Sequence, residues 1–175
     1  GMYSFCLWDR RDHVALLARD PYGIKPLYFY EGLNGCFLFA SEVRALLASG
    51  LVPRTLDPEG LSAFLQRGSL PADHTLVRGV HALPPGWLAL WQSGRLQLFP
   101  HWEPNYEPDP QRSPSQEVEH TREALQRSTL LHLRSDVPVG LFLSGGRDSA
   151  SLLALANGGL HTLSIGFAEA RYDES

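Results

Sequence analysis

The sequence predicts an α+β first part built on an antiparallel sheet, followed by the start of an α/β part with a parallel sheet. Three observations carry this. Four short apolar runs fall within residues 2–41, too close together for the long crossovers that parallel neighbours need. Four prolines crowd residues 103–114, where apolar periodicity is lost. Beyond them come an apolar run, a Ser-Gly-Gly turn, a helix-forming stretch and a second apolar run, which together read as a βαβ unit.

In order along the chain, Met2–Trp8, His13–Arg19, Pro26–Tyr30 and Cys36–Ser41 are rich in Val, Leu, Phe and Tyr. Turn-forming residues at Asp9–Asp12, Asp20–Gly23 and Gly32–Gly35 separate them, so they are expected as strands of one antiparallel sheet. Ser41 is placed to cap a helix over Glu42–Ala48 that stops at Ser49-Gly50. Asp57 before Pro58 signals another helix start: Asp accepts from the free N–H groups of the first turn, and Pro has none to leave unpaired. Leu61, Phe64 and Leu65 give that helix an apolar face, and Gly68 ends it. Trp87–Gln92 and Arg95–Phe99 flank Ser93-Gly94, a two-residue hairpin turn. Ser113, Pro114 and Gln116 spell a capping box for a helix reaching about Leu133. Val139–Leu143 is short and wholly apolar, as expected of a strand buried on both faces. A helix over Ala150–Ala156 and a strand over Leu160–Phe167 follow.

Of 175 residues, 43% are hydrophobic and 19% charged, enough to bury a core. The net charge of −4 excludes a broadly basic nucleic-acid surface. No apolar stretch approaches the roughly 18–20 residues of a membrane span. Residues 1–100 carry nine basic and eight acidic side chains, whereas 101–175 carry six and eleven. The shift coincides with the proline-rich stretch and suggests a division into 1–102, a linker at 103–114, and 115–175. Cys6 and Cys36 lie in strand-like runs and read as buried thiols of a reducing compartment. The seven histidines show no metal-ligand spacing. Trp87, Trp91 and Trp102 read as hairpin and core aromatics.

The run Ser144-Gly145-Gly146-Arg147-Asp148-Ser149 carries the chemistry. Glycines at a helix entry permit left-handed dihedrals and expose backbone N–H groups, and the helix start adds partial positive charge that favours an anion. Ser144 and Ser149 add hydroxyl donors. Asp148 would repel a phosphate unless a divalent cation bridged them, and Mg²⁺ is held by one or two carboxylates plus phosphate oxygens. The loop is neither a Walker loop nor a dinucleotide fingerprint. The plainer alternative is a helix entry that uses its glycines only to turn.

That run looks like the pyrophosphate loop of the ATP pyrophosphatases. With Ser135–Leu143 leading into it, the segment resembles glutamine-dependent asparagine synthetase. Gly1–Asp9, Arg19–Tyr28 and Phe39–Leu46 resemble the later part of that family's glutaminase domain. His161–Phe167 and Tyr172–Ser175 continue the synthetase match. The resemblance implies an N-terminal-nucleophile glutaminase-like portion at 1–102 and the start of an ATP pyrophosphatase domain at 115–175. The implied enzyme is an ATP-dependent ligase and amidotransferase. It adenylates the side-chain carboxylate of aspartate using ATP and Mg²⁺, then amidates it with ammonia from glutamine. Leu143 and Ile165 would line the adenine and ribose site, Ser144, Gly145, Gly146 and Ser149 would hold pyrophosphate, and Asp148 would bind Mg²⁺. Such an enzyme is cytoplasmic, has no nucleic-acid or membrane partner, and could form a homodimer.

The resemblance assigns no catalytic residue within the chain. The family's nucleophile is a cysteine at the mature N-terminus, whereas Cys6 and Cys36 are internal. Only 26 residues follow Ser149, against about 100 for a doubly wound domain, so an internal piece of a longer protein is expected. Arg147 and Ala150 stand where the family often has an aliphatic residue and Ser. In Arg19–Tyr28, Pro21 and Gly23 are expected to shape a turn over a buried Arg19-Asp20 support pair, rather than to touch substrate. Two other readings stay open: a β-lactam-forming or peptide-cyclising ligase of the same architecture, and an inactive nucleotide-binding remnant.

Overall fold

A computed structural model describes residues 1–108, 111–167 and 169. The chain forms two compact units, Gly1–Tyr106 and Glu107–Ser175. In the first, the four expected strands are present as β1 (Ser4–Asp9), β2 (Val14–Arg19), β3 (Tyr28–Glu31) and β4 (Phe37–Ala40). They do not share one sheet. β1 and β2 form a hairpin, β2 also pairs antiparallel with β6 (Trp87–Gln92), and β6 pairs with β7 (Arg95–Pro100). β3 pairs with β4 and with β5 (Val80–Ala82), a strand the sequence did not suggest. The sheets run β1-β2-β6-β7 and β4-β3-β5.

The split follows from where the apolar faces go. Ala15, Leu17 and Ala89 of the first sheet share one buried layer with Phe29 of the second and with Leu27 and Leu83, which lie just outside β3 and β5. Phe37 and Trp91 stack at its margin, 5.8 Å apart and 8° from parallel. The alternate residues of β3, Tyr28 and Tyr30, turn to a second core with Leu46, Val52 and Val80, beneath helix α1 (Val43–Ala48). A single sheet could not bury both faces of β3 this way.

Local chemistry explains most element ends. Asp57 caps α2 (Pro58–Arg67) by accepting from Gly60 N at 2.8 Å, and left-handed Gly68 closes it. Gly60 is required there, because a Cβ would stand 2.5 Å from the Thr75 carbonyl oxygen. The expected apolar face of α2 is not buried, since Phe64 and Leu65 are exposed. Ser41 does not cap α1; Glu42 occupies that position without a side-chain bond. Ser93 and Gly94 both have positive φ, the geometry of a tight primed turn. Cys6 and Cys36 are half-buried free thiols, and burial pushes the Cys6 thiol up from its ordinary value.

Between β2 and β3 the chain is organised by two side chains. Asp20 has no exposed surface, and its carboxylate accepts from the N–H groups of Tyr22, Ile24 and Lys25 at 3.2, 3.0 and 2.9 Å. Arg19 donates to the carbonyls of Lys25, Leu83 and Gly23 at 3.0, 2.6 and 2.9 Å. The expected support pair is thus two separate backbone clamps, with no ion pair between Arg19 and Asp20. Gly23, at φ +62°, closes the turn where a Cβ would stand 2.8 Å from Pro85.

In the second unit, Ser113 and Gln116 form the expected capping box on α3 (Pro114–His132). β8 (Gly140–Phe142) runs parallel to β9 (His161–Leu163), with α4 (Arg147–Leu155) between them in sequence. β8 is not buried on both faces: Phe142 is 73% exposed, because β9 is its only neighbour among the described residues. No described helix is long and apolar enough to cross a membrane.

Two predictions concern stability. Leu83→Ala should cost about 2–5 kcal/mol in urea unfolding, whereas Phe64→Ala should cost under about 1 kcal/mol; the reverse order would mean the core is misplaced. Burial works against the charge on Asp20, but the N–H groups of Lys25, Ile24, Tyr22 and Tyr3 outweigh it and hold the carboxyl below its ordinary value. The unfolded chain therefore binds more protons at acid pH. The stability Asp20 contributes is complete above about pH 4 and is lost as pH falls through its folded value. Asp20→Asn should cost about 1–3 kcal/mol at pH 7 and flatten this acid dependence. Equal stability of wild type and variant at pH 7 would refute the clamp.

Candidate functional site

The loop after β8 is shaped by backbone geometry. Leu143 extends the parallel ladder by one bond, from its N–H to the Leu163 carbonyl at 2.8 Å. Gly145 then takes φ +74°, and Gly146 is extended at φ −74°, ψ 154°, as the N-cap of α4. The Gly146 carbonyl accepts the first helical bond from Ala150 N at 3.1 Å. α4 therefore begins at Arg147, three residues before the expected start, and takes Asp148 and Ser149 into its first turn. Nothing in a helix uses the N–H groups of its first residues. No side chain caps them here, so Arg147, Asp148 and Ser149 offer theirs at the loop.

The Ser144 and Ser149 hydroxyls approach to 3.5 Å, and Ser149 Oγ donates to the Gly146 carbonyl at 3.1 Å. The loop thus brings Leu143, Ser144, Gly145, Gly146 and Ser149 together. Its donor set, the Ser144 hydroxyl and free helix N–H groups beside glycines, suits the oxygens of a phosphate. Asp148 is the one carboxylate of the first turn. Among the described residues no group of three His, Cys, Asp or Glu side chains could hold a metal. A Mg²⁺ ion here would take Asp148 alone from these residues, and phosphate and water oxygens besides, which is within its habits.

Ile165 follows β9, two residues beyond Leu163, and is exposed. Next to it, Ser164 Oγ donates to the Leu143 carbonyl at 2.8 Å. Ser164 was not singled out in the sequence, where a hydroxyl between Leu163 and Ile165 carries no pattern. Tyr172–Ser175, part of the sequence resemblance, lie outside the described residues.

Residues 1–102 match the family described as a glutamine amidotransferase domain, and residues 120–175 match the asparagine synthase family. The chain is 35% identical over 178 residues to glutamine-hydrolyzing asparagine synthetase 1 of Bacillus subtilis, covering 99% of this chain and 28% of that protein. It is 29% identical over 185 residues to the putative glutamine-hydrolyzing asparagine synthetase 2 of Methanocaldococcus jannaschii, covering 100% of this chain and 35% of that one. It is also 35% identical over 161 residues to the amidase chyE of Penicillium rubens, covering 89% of this chain and 23% of that protein. The chain therefore spans between about a quarter and a third of the length of these relatives. With residues 1–102 of its 175 matched, and residues 120–175 similar to asparagine synthase, it belongs to the glutamine amidotransferase domain family.

Proposed function

We propose that the chain serves a glutamine-hydrolysing asparagine synthetase. The first unit is the later portion of a glutaminase domain. The second is the start of an ATP pyrophosphatase domain, in which aspartate is adenylated and then amidated by ammonia from glutamine. The observation that carries this reading is the order of the two family matches along one chain, with the Ser-Gly-Gly loop inside the second.

On this reading Ser144, Gly145, Gly146 and Ser149 bind the pyrophosphate part of ATP through hydroxyl and backbone N–H donors. Leu143 and Ile165 bracket the adenine and ribose. Asp148 would hold Mg²⁺, which when bound offsets the negative charge of the departing pyrophosphate. The aspartate carboxylate oxygen bonds to the α-phosphorus as pyrophosphate leaves, and ammonia then displaces AMP. A cytoplasmic enzyme of small-molecule substrates, in which two copies could pair, fits the same reading. The amidase chyE, as similar to this chain as the bacterial synthetase, supports a second reading: the same two parts serving amide chemistry other than asparagine synthesis. Pyrophosphate release that depends on aspartate favours the first reading, and release that depends on another carboxylate favours the second.

Titration of the chain with ATP at increasing Mg²⁺ tests the metal role. Wild-type affinity should rise with Mg²⁺. Asp148→Asn should lose that rise, by about tenfold or ~1.4 kcal/mol, and bind metal-free ATP as well as wild type or better. If Asp148 only complements the helix dipole, the two Mg²⁺ curves coincide, and the variant loses just ~0.3–1 kcal/mol of stability.

A further inference from the structure

In a parallel ladder, a residue whose N–H bonds to the carbonyl of residue j has its own carbonyl paired with the N–H of residue j+2. Leu143 N–H bonds to Leu163, so the next rung would join the Leu143 carbonyl to Ile165 N–H. That rung is not made among the described residues. Ser164 Oγ occupies the Leu143 carbonyl instead, at 2.8 Å, and the strand pairing ends at Phe142 and Leu163. The side chain of one residue bonds the carbonyl that the backbone N–H of the next would take in a continued ladder.

We infer that Ser164 is a positioning residue of the nucleotide site: its hydroxyl ends the β8–β9 ladder and sets the separation of Leu143 and Ile165. The inference rests on the proposed assignment of those two residues to adenine and ribose. The place is apt on general grounds, since ligands of parallel sheets bind beyond the carboxyl ends of the strands. A continued ladder would draw the Ile165 backbone against Leu143 and close the interval between them. The Ser164 hydroxyl keeps the Leu143 carbonyl satisfied without that closure, and it leaves Ile165 N–H outside the ladder. An ordinary structural hydrogen bond would not behave so. Its loss would weaken the fold, whereas loss of this one allows another rung to form.

The test compares Ser164→Ala and Ser164→Thr with wild type in titrations with AMP, ATP and inorganic pyrophosphate, together with amide hydrogen exchange at Ile165. Ser164→Ala should weaken AMP and ATP by about threefold to tenfold, the range of one net hydrogen bond. It should leave pyrophosphate affinity unchanged and slow exchange of the Ile165 amide as the ladder gains its rung. Ser164→Thr keeps the hydroxyl and should match wild type. Unchanged AMP affinity in Ser164→Ala, or an equal loss for pyrophosphate, overturns the positioning role while the nucleotide site stands. A wild-type chain that binds neither AMP nor pyrophosphate overturns the nucleotide reading, and this role with it.

Discussion

A carboxylate without exposed surface, Asp20, decides how the two sheets of the first unit are joined. β2 must end in one sheet and β3 begin in the other, across eight residues that include two prolines and a left-handed glycine. Such a passage leaves backbone N–H groups with no ladder to join, and buried orphans of that kind cost more than most hydrogen bonds return. Asp20 gathers three of them on its carboxylate, while its own carbonyl accepts from Gly23 and Gly86. Arg19 does the converse, collecting three carbonyls. The charges of the two clamps are spent on backbone dipoles rather than on each other. With the passage fixed, Leu27 and Phe29 enter the shared core opposite Leu17 and Ala89.

The second unit solves a related problem at the end of β8. A strand that runs into a helix with almost no connection must reverse its dihedral preferences within a few residues. Gly145 supplies the left-handed step, and Gly146 returns to extended geometry just before the helix begins. The result is a helix whose first N–H groups lack side-chain caps, unlike α2 and α3, which are capped by Asp57 and by the Ser113–Gln116 box. Two of the three longer helices therefore settle their own N-termini, while the third leaves its donors to the loop.

What was legible in the sequence was what neighbouring residues decide among themselves. Asp57 with Pro58, Ser93 with Gly94, and Ser113 with Gln116 act over three residues or fewer, and each produced the expected geometry. What distant residues decide was not legible. Val80–Ala82 is a strand because Phe29 lies opposite His81, and three residues are too few to show alternation. The division into two sheets depends on β2 choosing β6, far along the chain, over β3. An apolar run such as Val139–Leu143 announces a strand but not how many neighbours it finds. The same divide runs through the candidate site. The Ser144–Ser149 loop was readable because glycine, hydroxyl and carboxylate stand in succession. Ser164 was not, because its partner, Leu143, lies 21 positions away.

The consecutive pair Arg147-Asp148 shows how far local helix physics can account for the loop. A carboxylate in the first turn of α4 is favoured by the helix dipole, and a cation there is disfavoured by a similar few tenths of a kcal/mol. For a bare helix the two side chains nearly cancel, and no ion pair among the described residues engages either one. The helix dipole thus accounts for Asp148 by itself but not for Arg147. An anionic ligand alone would favour Arg147 and oppose Asp148, and a cation alone would do the reverse. Only a ligand carrying both signs, as a metal–polyphosphate does, gives each residue a favourable partner. On the proposed reading, then, the departure at Arg147 is compatible with the phosphate loop. Asp148 is the residue of the pair whose charge depends on the metal to be tolerated there.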